Sequence, residues 1–179
     1  MENVSKLQTF TSNLVKVFEI RKGLRGKVDC QKTAYFMKRL GVEVPFNFKW
    51  NVFGPYSYDL AHYCNYLEID GLIQYSGTYL LNKDKAKSYI STLKPETVKR
   101  LENFFKKADE ICEASGYDKV LFLECAASLD FIQSNVREDM RKKETTFKLL
   151  EELKPEKREK FRRMKDYAWD LLINEQLIH

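Results

Sequence analysis

The order of patterns across residues 30–81 limits how this chain can fold more than any other feature. A helix-like apolar run from Cys30 to about Leu40 leads into Phe46, Phe48 and Trp50 at period two, with Asn47, Lys49 and Asn51 between them. Alternation of that kind predicts a half-buried extended segment. Gly54-Pro55 interrupts it, a further helical pattern runs to about Ile69, and Gly71 ends that pattern. Proline suits the first turn of a helix, where its missing N–H is not needed, so this helix is predicted to start between Pro55 and Ser57. Leu72–Tyr75 and Thr78–Leu81 then flank Ser76-Gly77, the signal of a two-residue hairpin. Helix, extended segment, helix and hairpin in that order predict a helix-turn-helix unit with a β-wing, a recognition module rather than a catalyst.

The flanking sequence extends the pattern on both sides. Leu7, Phe10, Leu14, Val17 and Phe18 fall on one helical face, with Ser5 as N-cap. Arg21–Lys27 holds two glycines and four basic residues and reads as an exposed loop. Asp29 is placed to cap the helix that begins at Cys30, and Gly41 to end it. After the hairpin, Asn82 caps a short helix carrying Lys83, Lys85 and Lys87. From Pro95 onward four helical patterns follow, at 95–114, 118–134, 144–153 and 156–177, with Pro155 separating the last two. The expected fold is mainly α (α+β): a winged helix-turn-helix-like domain over 1–92 and a helical subdomain over 93–179. Phe104-Phe105 and Phe131-Ile132 give the later helices more apolar width than one face needs, which predicts packing on the first unit or a homodimer through the C-terminal helices.

Composition narrows the partner. The chain has 179 residues, 44% hydrophobic and 32% charged, which is globular rather than disordered. Val120–Leu123 is among the longest apolar runs and is far too short to span a membrane. Met1–Lys6 lacks the basic start and apolar run of a signal peptide, so a cytoplasmic location is expected. Residues 1–90 carry 13 Lys/Arg against 8 Asp/Glu, and the remainder carries 18 against 18. The whole excess of positive charge therefore lies with the recognition unit, which favours an anionic partner there.

Catalytic and metal chemistry find little support. G-x-S-x-G, Walker, G-x-G-x-x-G and H-E-x-x-H patterns are absent. Cys64 and His62 are two residues apart on one predicted helix, so they point to different faces and do not form a dyad. The pairs Glu151/Glu152 and Asp109/Glu110 read as solvated helix faces. The four cysteines lack zinc-ligand spacing and read as free thiols. The expectation is a non-enzyme with no cofactor and no metal.

Double-stranded DNA is the first expected partner. In a winged helix the helix after the break lies in the major groove and the hairpin touches the flanking backbone. The candidate phosphate contacts are Arg25, Lys27, Lys32, Lys49, Lys83 and Lys85; the candidate base-facing residues are Ser57, Tyr58, His62 and Asn65. Asn65 could pair with adenine, and Ser57 or His62 could donate to bases or phosphates. Against this, the groove-facing helix holds no Lys or Arg and carries Asp59, Glu68 and Asp70, while the wing tip is uncharged. The same scaffold holding a partner protein is the alternative, with Tyr56, Tyr58, Tyr66 and Tyr75 as interface aromatics.

Gln31-Lys32-Thr33-Ala34-Tyr35-Phe36-Met37, then Phe46-x-Phe48-x-Trp50-x-x-Phe53-Gly54-Pro55-Tyr56-Ser57-x-x-Leu60 and Tyr66-Leu67-x-x-x-Gly71-Leu72-Ile73, resembles the uncharacterised prokaryotic YwgA-like family. Leu123-Glu124-x-Ala126-Ala127-Ser128-Leu129 and Leu150-x-x-Leu153-Lys154-Pro155 are similar to that family's C-terminal patches. The Gln-Lys and Gly-Pro-Tyr elements are also similar to the Panacea-type antitoxin domain of SocA-like proteins. The resemblance implies a winged-helix-like fold without catalytic residues, and either regulatory DNA binding or an antitoxin-like hold on another protein.

Overall fold

The computed structural model describes residues 2–179, with side chains from Ser5 onward; residue 1, where the expected first domain begins, lies outside the described residues. Among the described residues the chain is mainly helical, 68% helix against 7% strand, with a small hairpin sheet as its patterning predicts and a second two-stranded sheet that the patterning does not. Its elements are α1 (Glu2–Arg21), α2 (Gly26–Arg39), β1 (Lys49–Asn51), β2 (Gly54–Tyr56), α3 (Tyr58–Ile69), β3 (Ile73–Tyr75), β4 (Tyr79–Leu81) and α4 (Lys83–Ala86). The long helices α5 (Pro95–Ser115), α6 (Lys119–Asn135), α7 (Lys143–Leu153) and α8 (Arg158–Asn174) follow, with 3-10 turns at Glu138–Met140 and Pro155–Lys157. Two compact units result. One takes the chain up to Lys49 together with Tyr56–Asn103; the other takes Trp50–Pro55 and Phe104–His179. The expected boundary at 92/93 thus falls ahead of α5, whereas the division lies within that helix, and Trp50–Pro55 belongs with the C-terminal helices.

In the first unit α1 buries Phe10, Leu14, Val17 and Phe18, the face its periodicity marks out. The alternation read at Phe46, Phe48 and Trp50 holds in part: Phe46 is buried, Phe48 and Trp50 are half-buried, and Asn47 and Lys49 are exposed, while the same alternation begins earlier, at buried Val42 and Val44. Phe46 meets Phe10 edge-on at 5.1 Å, Phe48 meets Tyr35 at 5.3 Å, and Lys38 Nζ donates to the Phe46 carbonyl at 2.8 Å. Asn13, buried on α1, accepts from the Thr92 backbone N–H at 3.0 Å and from Ser91 Oγ at 3.1 Å, which fastens the segment after α4.

Three local expectations are corrected. Helix α2 begins at Gly26, not Cys30. Asp29 acts from inside it, its Oδ2 accepting the Arg25 N–H at 2.8 Å, so the carboxylate satisfies the helix start from within the first turns. Pro55 lies in β2 rather than in a helix, and α3 starts only after Ser57. The wing closes through three residues, since Tyr75 pairs with Tyr79 and Gln74 with Leu80. Gly77 adopts φ +82° in that loop, and the register brings Ile73 and Tyr79 into the core. The wing is anchored beyond its own pairing: Leu24 N–H donates to the Tyr79 carbonyl at 3.0 Å and Tyr79 N–H to the Leu24 carbonyl at 2.7 Å. Gly23 is required at this junction, because a Cβ there would sit 3.2 Å from the Tyr79 carbonyl at φ +113°.

In the second unit α6 packs against α7 and α8. Its central residues, Phe122 to Asp130, are all buried. Helix α8 ends at Asn174 rather than 177: Gln176 takes φ +56° and Leu177 N–H returns to the Leu172 carbonyl at 2.9 Å, a left-handed stop. Phe104, Phe105 and Ile132, read from sequence as spare width for packing on the first unit or for a homodimer, are buried within the single chain, and Phe131 is half-buried against Trp50 at 6.1 Å.

Candidate functional site

Helix α3 carries exposed aromatic side chains, and one α2 residue fixes where that helix begins. Ser57 caps it, with Oγ accepting the Leu60 N–H at 3.3 Å. Gln31, buried on α2, reads the Ser57 backbone in both directions. Its Oε1 accepts the Ser57 N–H at 2.8 Å and its Nε2 donates to the Ser57 carbonyl, also at 2.8 Å. A side-chain amide that satisfies both backbone groups of one residue holds that residue's position and orientation together. Asp29 does comparable work at the start of α2: Arg21 Nη2 donates to it at 3.0 Å in a pair that is almost wholly buried, and Arg21 Nη1 reaches Thr33 Oγ1 at 3.1 Å. At the far end of α3, Lys85 Nζ donates to the Asp70 carbonyl and stands 3.7 Å from its carboxylate.

These contacts decide the fate of the sequence-level site residues. Lys32 is fully buried on α2 and cannot meet a phosphate. Ser57 is 2% exposed and occupied as a cap, so it cannot face a base. Lys85 is exposed, but its ammonium is committed to the α3 C-terminus. Arg25, Lys27, Lys49 and Lys83 are exposed, as are Tyr58, His62 and Asn65. Lys27 and Asn65 are brought together at the rim of one small cavity, and Lys83 and Lys85 share α4.

The outer surface of α3 is aromatic, apolar and acidic. Tyr58, Tyr66 and Ile69 are 67%, 57% and 87% exposed, beside exposed Asp59 and Glu68. Tyr66 stacks on Tyr63 at 5.8 Å with 22° between the rings. The Tyr63 hydroxyl is 2.6 Å from Thr11 Oγ1, and partial burial pushes its pKa up, so it stays a neutral hydrogen-bonding group. Tyr63, Tyr66 and Tyr89 line a groove of about 440 Å³ whose other wall is Leu7, Gln8 and Thr11. On the wing, Tyr75 is 44% exposed and rests on Tyr79 at 4.7 Å.

The second unit contains a buried ion cluster. Lys154 is fully buried, with Nζ 3.1 Å from Glu124 Oε1 and donating also to the Val52 carbonyl. Lys157 joins the same carboxylate oxygen and lies 5.0 Å above the Phe53 ring, while Lys154 lies 5.4 Å from the Trp50 ring. Burial holds the Lys154 pKa below the ordinary lysine range, with Glu124 opposing the shift. Lys154 thereby fastens the β1–β2 turn to its own unit.

Sequence reasoning missed the Gln31 clamp, the Tyr63–Tyr89 groove and the Glu124–Lys154 pair. Glu124 and Lys154 do stand in the two C-terminal patches the sequence singles out, and their opposite charge within apolar runs was the available signal. It also missed a local basic run: Arg158, Lys160, Arg162 and Arg163 are all exposed on α8, hidden by the even charge count of residues 91–179. Among the described residues no helix is long and apolar enough to cross a membrane, and no group of three or more His, Cys, Asp or Glu could hold a metal.

Fold and site together define a mainly α chain whose first unit has winged-helix-like element order and presents an aromatic, acidic third helix. No protein-family model, curated protein or solved structure matches it.

Proposed function

We propose that this chain is a non-enzymatic, cytoplasmic protein-interaction module that holds a partner protein on the exposed face of α3 and the adjoining tyrosine groove. One observation carries the reading: the helix a winged-helix protein would use to read DNA has no Lys or Arg and exposes Tyr58, Tyr66 and Ile69 beside Asp59 and Glu68. Tyrosine supplies large, rigid contact area with a polar tip, which suits protein interfaces, whereas an acidic helix repels phosphate. The antitoxin-like role implied by the resemblance of Gln31–Met37 and Gly54–Ser57 is of this class.

Duplex DNA is the second reading, favoured by the exposed Arg25, Lys27, Lys49 and Lys83 and by the basic run on α8. A fluorescent random duplex titrated with the chain at low salt separates the two. Under the first reading no binding appears that falls steeply with added salt. Such binding, weakened in a Lys27→Ala/Lys83→Ala variant across all sequences alike, would establish the second instead.

A further inference from the structure

Cys30 on α2 and Cys64 on α3 are 34 residues apart in the chain, yet their sulfurs lie 3.2 Å from each other and both side chains are buried. A shared metal ion does not explain the approach. Two bonds of about 2.3 Å to one tetrahedral ion would hold the sulfurs roughly 3.8 Å apart, and among the described residues there is no group of three or more His, Cys, Asp or Glu to complete a site. The pair is also reachable. It lines a cavity of about 60 Å³ with Gln31 and Ala61, and the exposed residues Lys27 and Asn65 stand on the same wall. That volume admits a water-sized molecule and little else.

We propose that Cys30 and Cys64 form a reversible modification site, oxidised to an α2–α3 disulfide by hydrogen peroxide entering past Lys27 and Asn65. Contact with Cys64, burial and the nearby Asp29 push the Cys30 thiol well above the ordinary cysteine range, so the pair rests as thiols until an oxidant reaches it. One sulfur of the pair takes one peroxide oxygen, the O–O bond breaks, and the released hydroxide leaves as water with that thiol's proton. The other sulfur then attacks the sulfenic sulfur, the S–O bond breaks, and the second water carries off the second thiol's proton. Two thiols lose two electrons, and one peroxide gains them. The sulfurs close by about 1.1 Å to bonding distance, which draws α2 and α3 together beneath Ala61 and Asn65.

The test treats the purified, reductant-free chain with hydrogen peroxide, alkylates the remaining thiols and maps peptides by mass spectrometry. The expected product links Cys30 to Cys64, leaves Cys112 and Cys125 alkylated, and reverts with dithiothreitol. A Cys30→Ser chain should stop at a Cys64 sulfenic acid, which dimedone captures when the oxidised chain is denatured in its presence, whereas the wild type treated in the same way gains no dimedone at either position. Unchanged Cys30 and Cys64 in the folded wild type, separate over-oxidation of each, or a disulfide through Cys112 or Cys125 overturns the proposal. The wild-type result decides even where the variant folds poorly.

Discussion

Replacing Glu124 with Gln tests the buried cluster of the second unit. Lys154 is fully buried, and its ammonium has the Glu124 carboxylate at 3.1 Å and the Val52 carbonyl as partners. The amide keeps the shape of the carboxylate and removes its charge, so a buried cation loses its counter-ion. Breaking a buried pair from one side costs about 3–5 kcal/mol. Because the Val52 carbonyl still accepts one N–H and Lys157 can turn to solvent, the lower end applies, about 3 kcal/mol. For a chain of this size that is a fall in thermal midpoint of roughly 6–12 °C. The pH dependence is the sharper readout. Lys154's folded pKa already lies below its unfolded value through burial, and losing Glu124 lowers it further. Where the folded lysine has shed its proton and the unfolded one has not, the unfolded state binds more protons, so stability rises with pH. The deficit of Glu124→Gln against wild type should therefore be largest near neutral pH and shrink as the solution is made alkaline. Urea unfolding at several pH values followed by circular dichroism measures this. A deficit under 0.5 kcal/mol, or one that grows with pH, would refute the reasoning.

Other substitutions probe the first unit. Gln31→Ala leaves the Ser57 N–H and carbonyl without their side-chain partners and should cost about 2–3 kcal/mol in urea unfolding; Gln31→Glu, which keeps only the acceptor, should recover part of the loss at most. Ser57→Ala removes a helix cap and should cost about 1 kcal/mol, with no effect on any binding to duplex DNA because the hydroxyl is buried. Lys22 holds φ +57° just past α1, so Lys22→Gly should raise the urea midpoint by the equivalent of about 0.5–1 kcal/mol. A lower midpoint would show that the lysine side chain contributes more than its backbone conformation costs.

Elements that obey a single local rule were legible in the sequence. The face of α1, the Asn82 cap and the alternation of Phe46, Phe48 and Trp50 follow from periodicity and capping alone. Helix α2 resisted the same reading because Asp29 to Met37 are all buried, polar residues included. A helix segment buried all round has no polar face to betray its outward positions, so Lys32 looked like a surface residue and the role of Gln31 gave no signal. Ser57 was misread as base-facing for a related reason: its role depends on Gln31, 26 residues away. The wing register slipped by one because Ser76-Gly77 satisfies a two-residue turn locally, while pairing Tyr75 with Tyr79 buries Tyr79 and joins it to Leu24. The Cys30–Cys64 contact and the Tyr63–Tyr89 groove likewise exist only once separate segments are packed together.

The proposed partner-holding face is tested most directly by paired capture from nuclease-treated native extract, with the wild-type chain and a Tyr66→Ala/Ile69→Asp variant as baits. A protein recovered stoichiometrically with the wild type should be lost with the variant, since truncating one interface tyrosine at a hot spot costs about 2 kcal/mol, or roughly thirtyfold in affinity. Equal recovery by both baits, or a wild-type bait that recovers no protein stoichiometrically, would contradict it.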